Sequence, residues 1–68
     1  MSTYAVVELI GTSPNSWEEA ATNAINEAGQ SLRHLRVAEV SELDMSLSDS
    51  GQIQEYRAKV KVSLKHET

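Results

Sequence analysis

The sequence predicts an α+β domain with the element order β-α-β-β, a three-stranded antiparallel sheet wrapped on one helix. Three observations predict it. The block Ser13-Pro14-Asn15-Ser16-Trp17-Glu18-Glu19-Ala20-Ala21 has the chemistry of a helix start and lies between two strand-like runs. Residues 55–64 alternate without a break: Tyr56, Ala58, Val60, Val62 and Leu64 face one way, and Glu55, Arg57, Lys59, Lys61 and Ser63 the other. Ser48-Asp49-Ser50-Gly51 is turn material, so the last two strands form a hairpin.

The elements follow in order. Tyr4 to Ile10 is rich in Val, Ile and Tyr and reads as a strand ending at Gly11. Val7 and Leu9 share one face; Val6 and Ile10 share the other with Glu8. Apolar residues on both faces call for cover on both sides, and with one helix the second cover comes from another subunit. Gly11 to Asn15 reads as a loop, with Pro14 pushing Ser13 out of helical geometry. Ser16-x-x-Glu19 fits a capping box, and Glu18 and Glu19 sit at the positive end of the helix dipole. Trp17, Ala20, Ala21, Ala24, Ile25 and Ala28 recur at helical spacing as one slim apolar stripe. Gly29 offers a stop, while Leu32 continues the stripe and allows another turn. The second strand is expected from Leu35 to Leu47. Ala38 and Val40 are in one phase and Leu43, Met45 and Leu47 in the other, so a bulge is expected between Val40 and Leu43.

Sixty-eight residues make a single domain, 1–68, with residues 1–3 and 66–68 expected to fray. A chain of this size buries only about 60% of its unfolded surface. It has no cysteine, so disulfides are excluded and no Cys-His zinc site is available. Association with further copies is the remaining way to complete a core. No segment is long and apolar enough to span a membrane. Met1-Ser2-Thr3 leads into a strand without a basic or apolar leader, so a cytoplasmic protein is expected. Net charge is −4 and is unevenly spread: residues 1–32 hold four acids and no Lys or Arg. An acidic chain without a basic stripe argues against nucleic-acid binding, and the asymmetry can orient subunits against one another.

Few side chains offer chemistry. Glu42, Asp44 and Ser46 alternate on one strand face, an oxygen-rich row suited to a hard cation such as calcium, which takes six to eight oxygens. One strand cannot supply that many, so a symmetry axis or waters must. The hairpin places Asp44 opposite either Glu55 or Arg57: the first pairing favours a cation, with Glu42, Asp44 and Glu55 as metal candidates, and the second an ion pair. Trp17 is in phase with the alanine stripe and is expected to pack on the sheet end or a neighbouring subunit. His34 and His66 lie far apart, and capping or interface roles suit them better than metal ligation. No nucleophile, base and acid stand at a recognisable spacing, so an enzyme is not expected.

The chain resembles the dodecins. The resemblance rests on Val7-Glu8-Leu9-Ile10-Gly11-Thr12-Ser13-Pro14, Glu18-Glu19-Ala20, Leu32-Arg33-His34-Leu35-Arg36, Ala38-Glu39-Val40, and Tyr56 followed by Val60-Lys61-Val62. It covers roughly residues 4–65, and the order and spacing of the pieces carry it. It implies a hollow homododecamer of β-α-β-β subunits, sheets inside and helices outside, that sequesters flavin (FMN or riboflavin) at two-fold contacts. In the family a Trp at the start of the second strand stacks on flavin and a Gln in the third strand hydrogen-bonds it. These positions fall on Val37 and Arg57, with Glu39 beside Val37 on the same face. Val has no π face, so stacking of about 1–3 kcal/mol per aromatic contact is lost, and Arg donates but cannot accept. Weak or no flavin binding is the expectation. A branch without that stacking Trp, called calcium dodecin, resembles this chain more closely. It shares the Ser-Trp-Glu helix start and a Glu-x-Asp-Met in the second strand, which implies a metal role. A structural cage without ligand is the remaining alternative.

Overall fold

The computed structural model describes residues 2–66. Four elements follow one another: β1 (Thr3–Ser13), α1 (Trp17–Ser31), β2 (Leu35–Leu47) and β3 (Ile53–His66). All pairing is antiparallel, in the order β1-β3-β2, so the alternating strand β3 is central. Of the ends expected to fray, Thr3 and His66 face each other as the last pair of the β1–β3 ladder. Met1, Glu67 and Thr68 lie outside the described residues.

β1 runs three residues past the expected stop at Gly11, because Gly11, Thr12 and Ser13 stay in register with Ala58, Arg57 and Tyr56. The turn into the helix is then made by Ser13. Its buried Oγ accepts from the Asn15 amide at 3.0 Å and the Ser16 amide at 3.4 Å. Ser16 caps the helix, its hydroxyl accepting from the Glu19 amide at 3.0 Å. The other half of the capping box does not form. The Glu19 carboxylate accepts instead from Asn15 Nδ2 at 2.8 Å, because the Ser16 amide is already turned toward Ser13. Gly29 does not end the helix; Leu32 caps it, its amide bonding the Ala28 carbonyl.

Ala20, Ala24 and Ala28 of α1 lie on Ala58, Val60 and Val62 of β3, all of them buried, with Leu9, Ile25 and Leu35 at the margin. Small residues on the helix face bring its axis close to the sheet. Gly11 marks the tightest approach: a Cβ there would lie 2.9 Å from Ala24 Cβ and would run into the Ala20 carbonyl.

The expected bulge is present. The register slips between Val40 and Glu42, and Ser41, the extra residue, donates its hydroxyl to the Lys59 carbonyl at 3.2 Å. Two further slips flank it, at Leu35/Val37 and Ser46/Leu47. The helix covers β1 and β3 but scarcely reaches β2, so Val40, Leu43 and Met45 are left exposed on the helix side. On the opposite face Tyr4, Val6 and Ile10 are bare, Val6 at 60% exposure. The body measures 51 × 19 × 16 Å, a slab too thin to enclose both faces of its own sheet. The expectation of apolar surface on both sides of β1 therefore holds within the single subunit.

Candidate functional site

The sheet face turned away from the helix carries the chemistry. Residues directly opposite across antiparallel strands share a face, so the register places Arg57, Lys59 and Lys61 of β3 as a central basic column. Asp44, Glu42 and Glu39 of β2 stand opposite them on one side, and Thr12, Ile10 and Glu8 of β1 on the other. The open question about the hairpin is answered: Asp44 faces Arg57, and Glu55 faces Ser46.

Asp44 and Arg57 form a two-pronged ion pair. Arg57 Nε donates to Asp44 Oδ1 at 2.7 Å and an Arg57 terminal nitrogen donates to Oδ2 at 3.2 Å. These hydrogen bonds hold the Asp44 carboxyl below its ordinary range, helped by the charges of Arg57 and Lys59; the same pairing raises Arg57. Lys59 approaches Glu42 more loosely, at 3.5 Å. Both pairs are open to solvent, so they orient side chains more than they stabilise the fold. Ser46, two residues beyond Asp44 on the same face, has its Oγ buried and without a hydrogen-bond partner.

The other face grips the same residue. Trp17 Nε1 donates to the Asp44 carbonyl at 3.0 Å, and the Trp17 ring stands edge-on to Tyr56, with centroids 5.1 Å apart at 74°. Trp17 therefore packs on the sheet end, as its phase in the helix predicts. Asp44 is held from both sides of the sheet, its backbone by the helix start and its side chain by β3. Sequence reading missed this link because the partners are 27 residues apart and only the register brings them together. The register is set by the bulge at Ser41, whose position the phase change did signal.

The residues singled out for ligands are dispersed in one subunit. Val37 is 59% exposed and opposite Ser63. Arg57 stands six positions further along β3, roughly 20 Å away at strand rise, and Glu39 faces Lys61. Glu42 and Asp44 share the polar face, with Glu55 one pair beyond. Among the described residues no three His, Cys, Asp or Glu side chains are grouped closely enough to hold a metal. Two concavities occur elsewhere. One, of about 520 Å³, lies between Trp17, Ala21, Val40 and Leu43; the other, of about 1010 Å³, runs along the free edge of β1 beneath the helix, past Leu9, Ala24 and Leu32. No helix among the described residues is long and apolar enough to cross a membrane.

A thin β-α-β-β subunit with one charged sheet face, and apolar surface open on both sides, defines a small binding module completed by association. The comparisons agree. The Dodecin family profile matches residues 3–67. Calcium dodecin of Mycobacterium tuberculosis is 49% identical over 65 residues, spanning 96% of this chain and 90% of the relative. Dodecin of Thermus thermophilus is 36% identical over 64 residues, spanning 94% and 91%. Among solved structures, dodecin from Streptomyces coelicolor superposes with a TM-score of 0.90 at 34% identity, covering 98% of this chain and 94% of that one. The calcium-chelating antigen calcium dodecin of M. tuberculosis, described as having a novel calcium-binding site, superposes with a TM-score of 0.84 at 47% identity, covering 97% and 93%. The chain belongs to the dodecin family, whose members are non-enzymatic binding proteins. Membership implies a homododecamer that binds small ligands.

Proposed function

We propose that this chain forms a cytoplasmic homododecamer that sequesters a divalent cation, calcium, where subunits meet, and that it has lost the stacking site for flavin. The observation that carries the reading is the state of the two positions matching the family's flavin contacts. Val37 presents an aliphatic side chain to the open face, and both carboxylate oxygens of Asp44 occupy the guanidinium of Arg57. Val37 offers a flavin ring no π platform, and neither side chain offers an acceptor.

Calcium is supported from two directions. The calcium dodecin of Mycobacterium tuberculosis stands at 49% identity in sequence and 47% over its solved structure, above the other dodecins compared. The hairpin also carries oxygen of the right kind: the Glu42 carboxylate, whose lysine stands off at 3.5 Å, the unpartnered Ser46 Oγ between Asp44 and the turn, and Glu55 opposite it, whereas Asp44 is engaged by Arg57 within the subunit. A single copy falls short of the six to eight oxygens calcium takes, so the set is completed by a second copy or by water, and symmetry repeats it. Binding is passive, and it stabilises the assembly by mass action.

The test uses the chelator-treated assembly. Calcium chloride is titrated by calorimetry, melting is compared in millimolar calcium and in chelator, and FMN fluorescence is followed on adding protein. Heat of binding, a raised melting temperature and unquenched FMN are expected. Strong FMN quenching would show that a stacking site survives, and an unchanged melting curve in calcium would overturn the metal reading.

A further inference from the structure

The subunit is electrically polar along its length. At one end, around the helix start and the hairpin, Glu18, Glu19, Asp49 and Glu55 form no ion pair among the described residues. At the other end α1 passes into β2 and β1 begins beside the end of β3. Arg33, Arg36 and Lys65 gather there, equally without an acid partner among the described residues. Lys65 stands opposite Tyr4, whose side chain is half exposed. The acid end holds the groove of about 520 Å³ between the helix start and β2. Trp17, Ala21, Val40 and Leu43 wall it, and Glu18 is the only charged residue on its lining. It is open because α1 scarcely reaches β2. Tyr56, which carries Trp17 on its ring, lies nine positions from Lys65 on β3, roughly 30 Å at strand rise, so the two ends cannot meet within one subunit.

We propose that this groove is a socket for the basic end of a second copy of the chain: Tyr4 of the partner subunit enters against Trp17 and Leu43, and Lys65 of the partner subunit reaches Glu18. Charge and shape select that occupant. The socket is apolar with one acid on its lining, and the far end of the same chain offers an exposed aromatic ring with an ammonium paired beside it. A socket facing a second socket is disfavoured, because it would set Glu18 against Glu18. The contact is therefore heterologous: each copy gives its Tyr4 to one neighbour and receives that of another, and within a closed assembly such a contact runs around a ring. The absence of Lys and Arg from residues 1–32 then has a use, since it leaves the socket acidic and lets the charge of the incoming end fix the order of copies. No ligand takes part, so the contact stands whether or not the assembly binds calcium.

The experiment is charge exchange read by native mass, with helix content followed by circular dichroism. Glu18→Lys and Lys65→Glu each replace attraction by repulsion in every copy of the contact and are expected to shift the assembly to smaller species. The double variant Glu18→Lys/Lys65→Glu rebuilds the pair with its signs exchanged and is expected to recover the parent's mass. A loss of stability inside one subunit is not repaired by a second substitution so far away, so recovery reports the contact itself. Tyr4→Ala should weaken assembly at unchanged helix content. Trp17, the single tryptophan, should be shielded from acrylamide in the parent assembly and lose that shielding in Tyr4→Ala. Single reversals that leave the mass unchanged, or a double variant no better than the singles, overturn the socket. Should the reversed variants fail to fold, Trp17 emission quenched as readily in the parent assembly as in Tyr4→Ala does the same.

Discussion

Gly11 and Gly29 give the sharpest test of how the helix is seated, because one substitution at two places should act with opposite sign. A methyl group at Gly11 would sit 2.9 Å from Ala24 Cβ and 3.0 Å from the Ala20 carbonyl carbon, and would overlap the Ala20 carbonyl oxygen. Two of these obstacles are helix backbone, which cannot rotate aside, so α1 must lift off the sheet. Overpacking of a tight contact costs about 1–3 kcal/mol, and an obstacle of backbone places Gly11→Ala at the upper end, about 3 kcal/mol. A domain of this length commands only about 3–10 kcal/mol in all. At Gly29 the nearest foreign atom is Leu35 Cδ1 at 4.0 Å, and the residue lies inside α1. Gly29→Ala should therefore gain about 0.5–1 kcal/mol from helix propensity alone. Neither glycine has a positive φ, so strain in the backbone does not confuse the comparison. Urea unfolding of the two variants should move the midpoint down for Gly11→Ala and up for Gly29→Ala at constant m. A Gly11→Ala midpoint equal to the parent's would refute the close seating of helix on strand.

Two further outcomes are expected. Ser16→Ala removes the hydroxyl that receives the Glu19 amide and should cost about 1 kcal/mol, while Ser16→Asp, which keeps an acceptor, should stay near the parent in the same urea experiment. Asp44, with its carboxyl held low by Arg57, contributes stability that is complete above the unfolded carboxyl's value and disappears as pH falls through the lower folded value. In chelator, Asp44→Asn should therefore lie below the parent near neutrality and converge with it at acid pH; parallel curves across the whole range would contradict the pairing.

Much of the fold could be read from the residue pattern, and its failures have physical causes. The alternation of β3 and the alanine stripe of α1 each bury one face, and a period tied to burial is strongly specified. The bulge was legible because a bulge leaves a phase error, Ala38 and Val40 against Leu43 and Met45. The end of β1 was misplaced because Gly11-Thr12-Ser13 carries loop-like composition. Its pairing is dictated by β3 on the far side of the chain, and its glycine is required by the approach of Ala20 and Ala24 rather than by a turn. The capping box formed by half because Ser13, outside the motif, captured the amide that Glu19 would have reached. At the polar face the sequence offered two partners for Asp44, one favouring a cation and one an ion pair. The choice depended on a register that local pattern leaves free by two residues.

The distribution of charge explains why such a subunit associates through its faces. Both outer strands are free edges, and edges left open invite strand-to-strand addition. Here the cations Arg57, Lys59 and Lys61 sit on the central strand, while Glu8 is the only charge on β1 from Tyr4 to Ser13, and Glu39, Glu42 and Asp44 outweigh Arg36 on β2. Two edges of this kind brought together set like charges opposite one another, which is unfavourable. The faces behave differently: on each, apolar residues stand open, Val6 and Ile10 on one and Val40 and Leu43 on the other, and covering them gains about 25 cal/mol for each Å² withdrawn from water. Acid edges and greasy faces therefore push in the same direction, toward stacking of copies and away from endless sheets. Because the acids of β2 are partly neutralised within the chain by Arg57 and Lys59, stacked copies can bring these rows near one another without prohibitive repulsion.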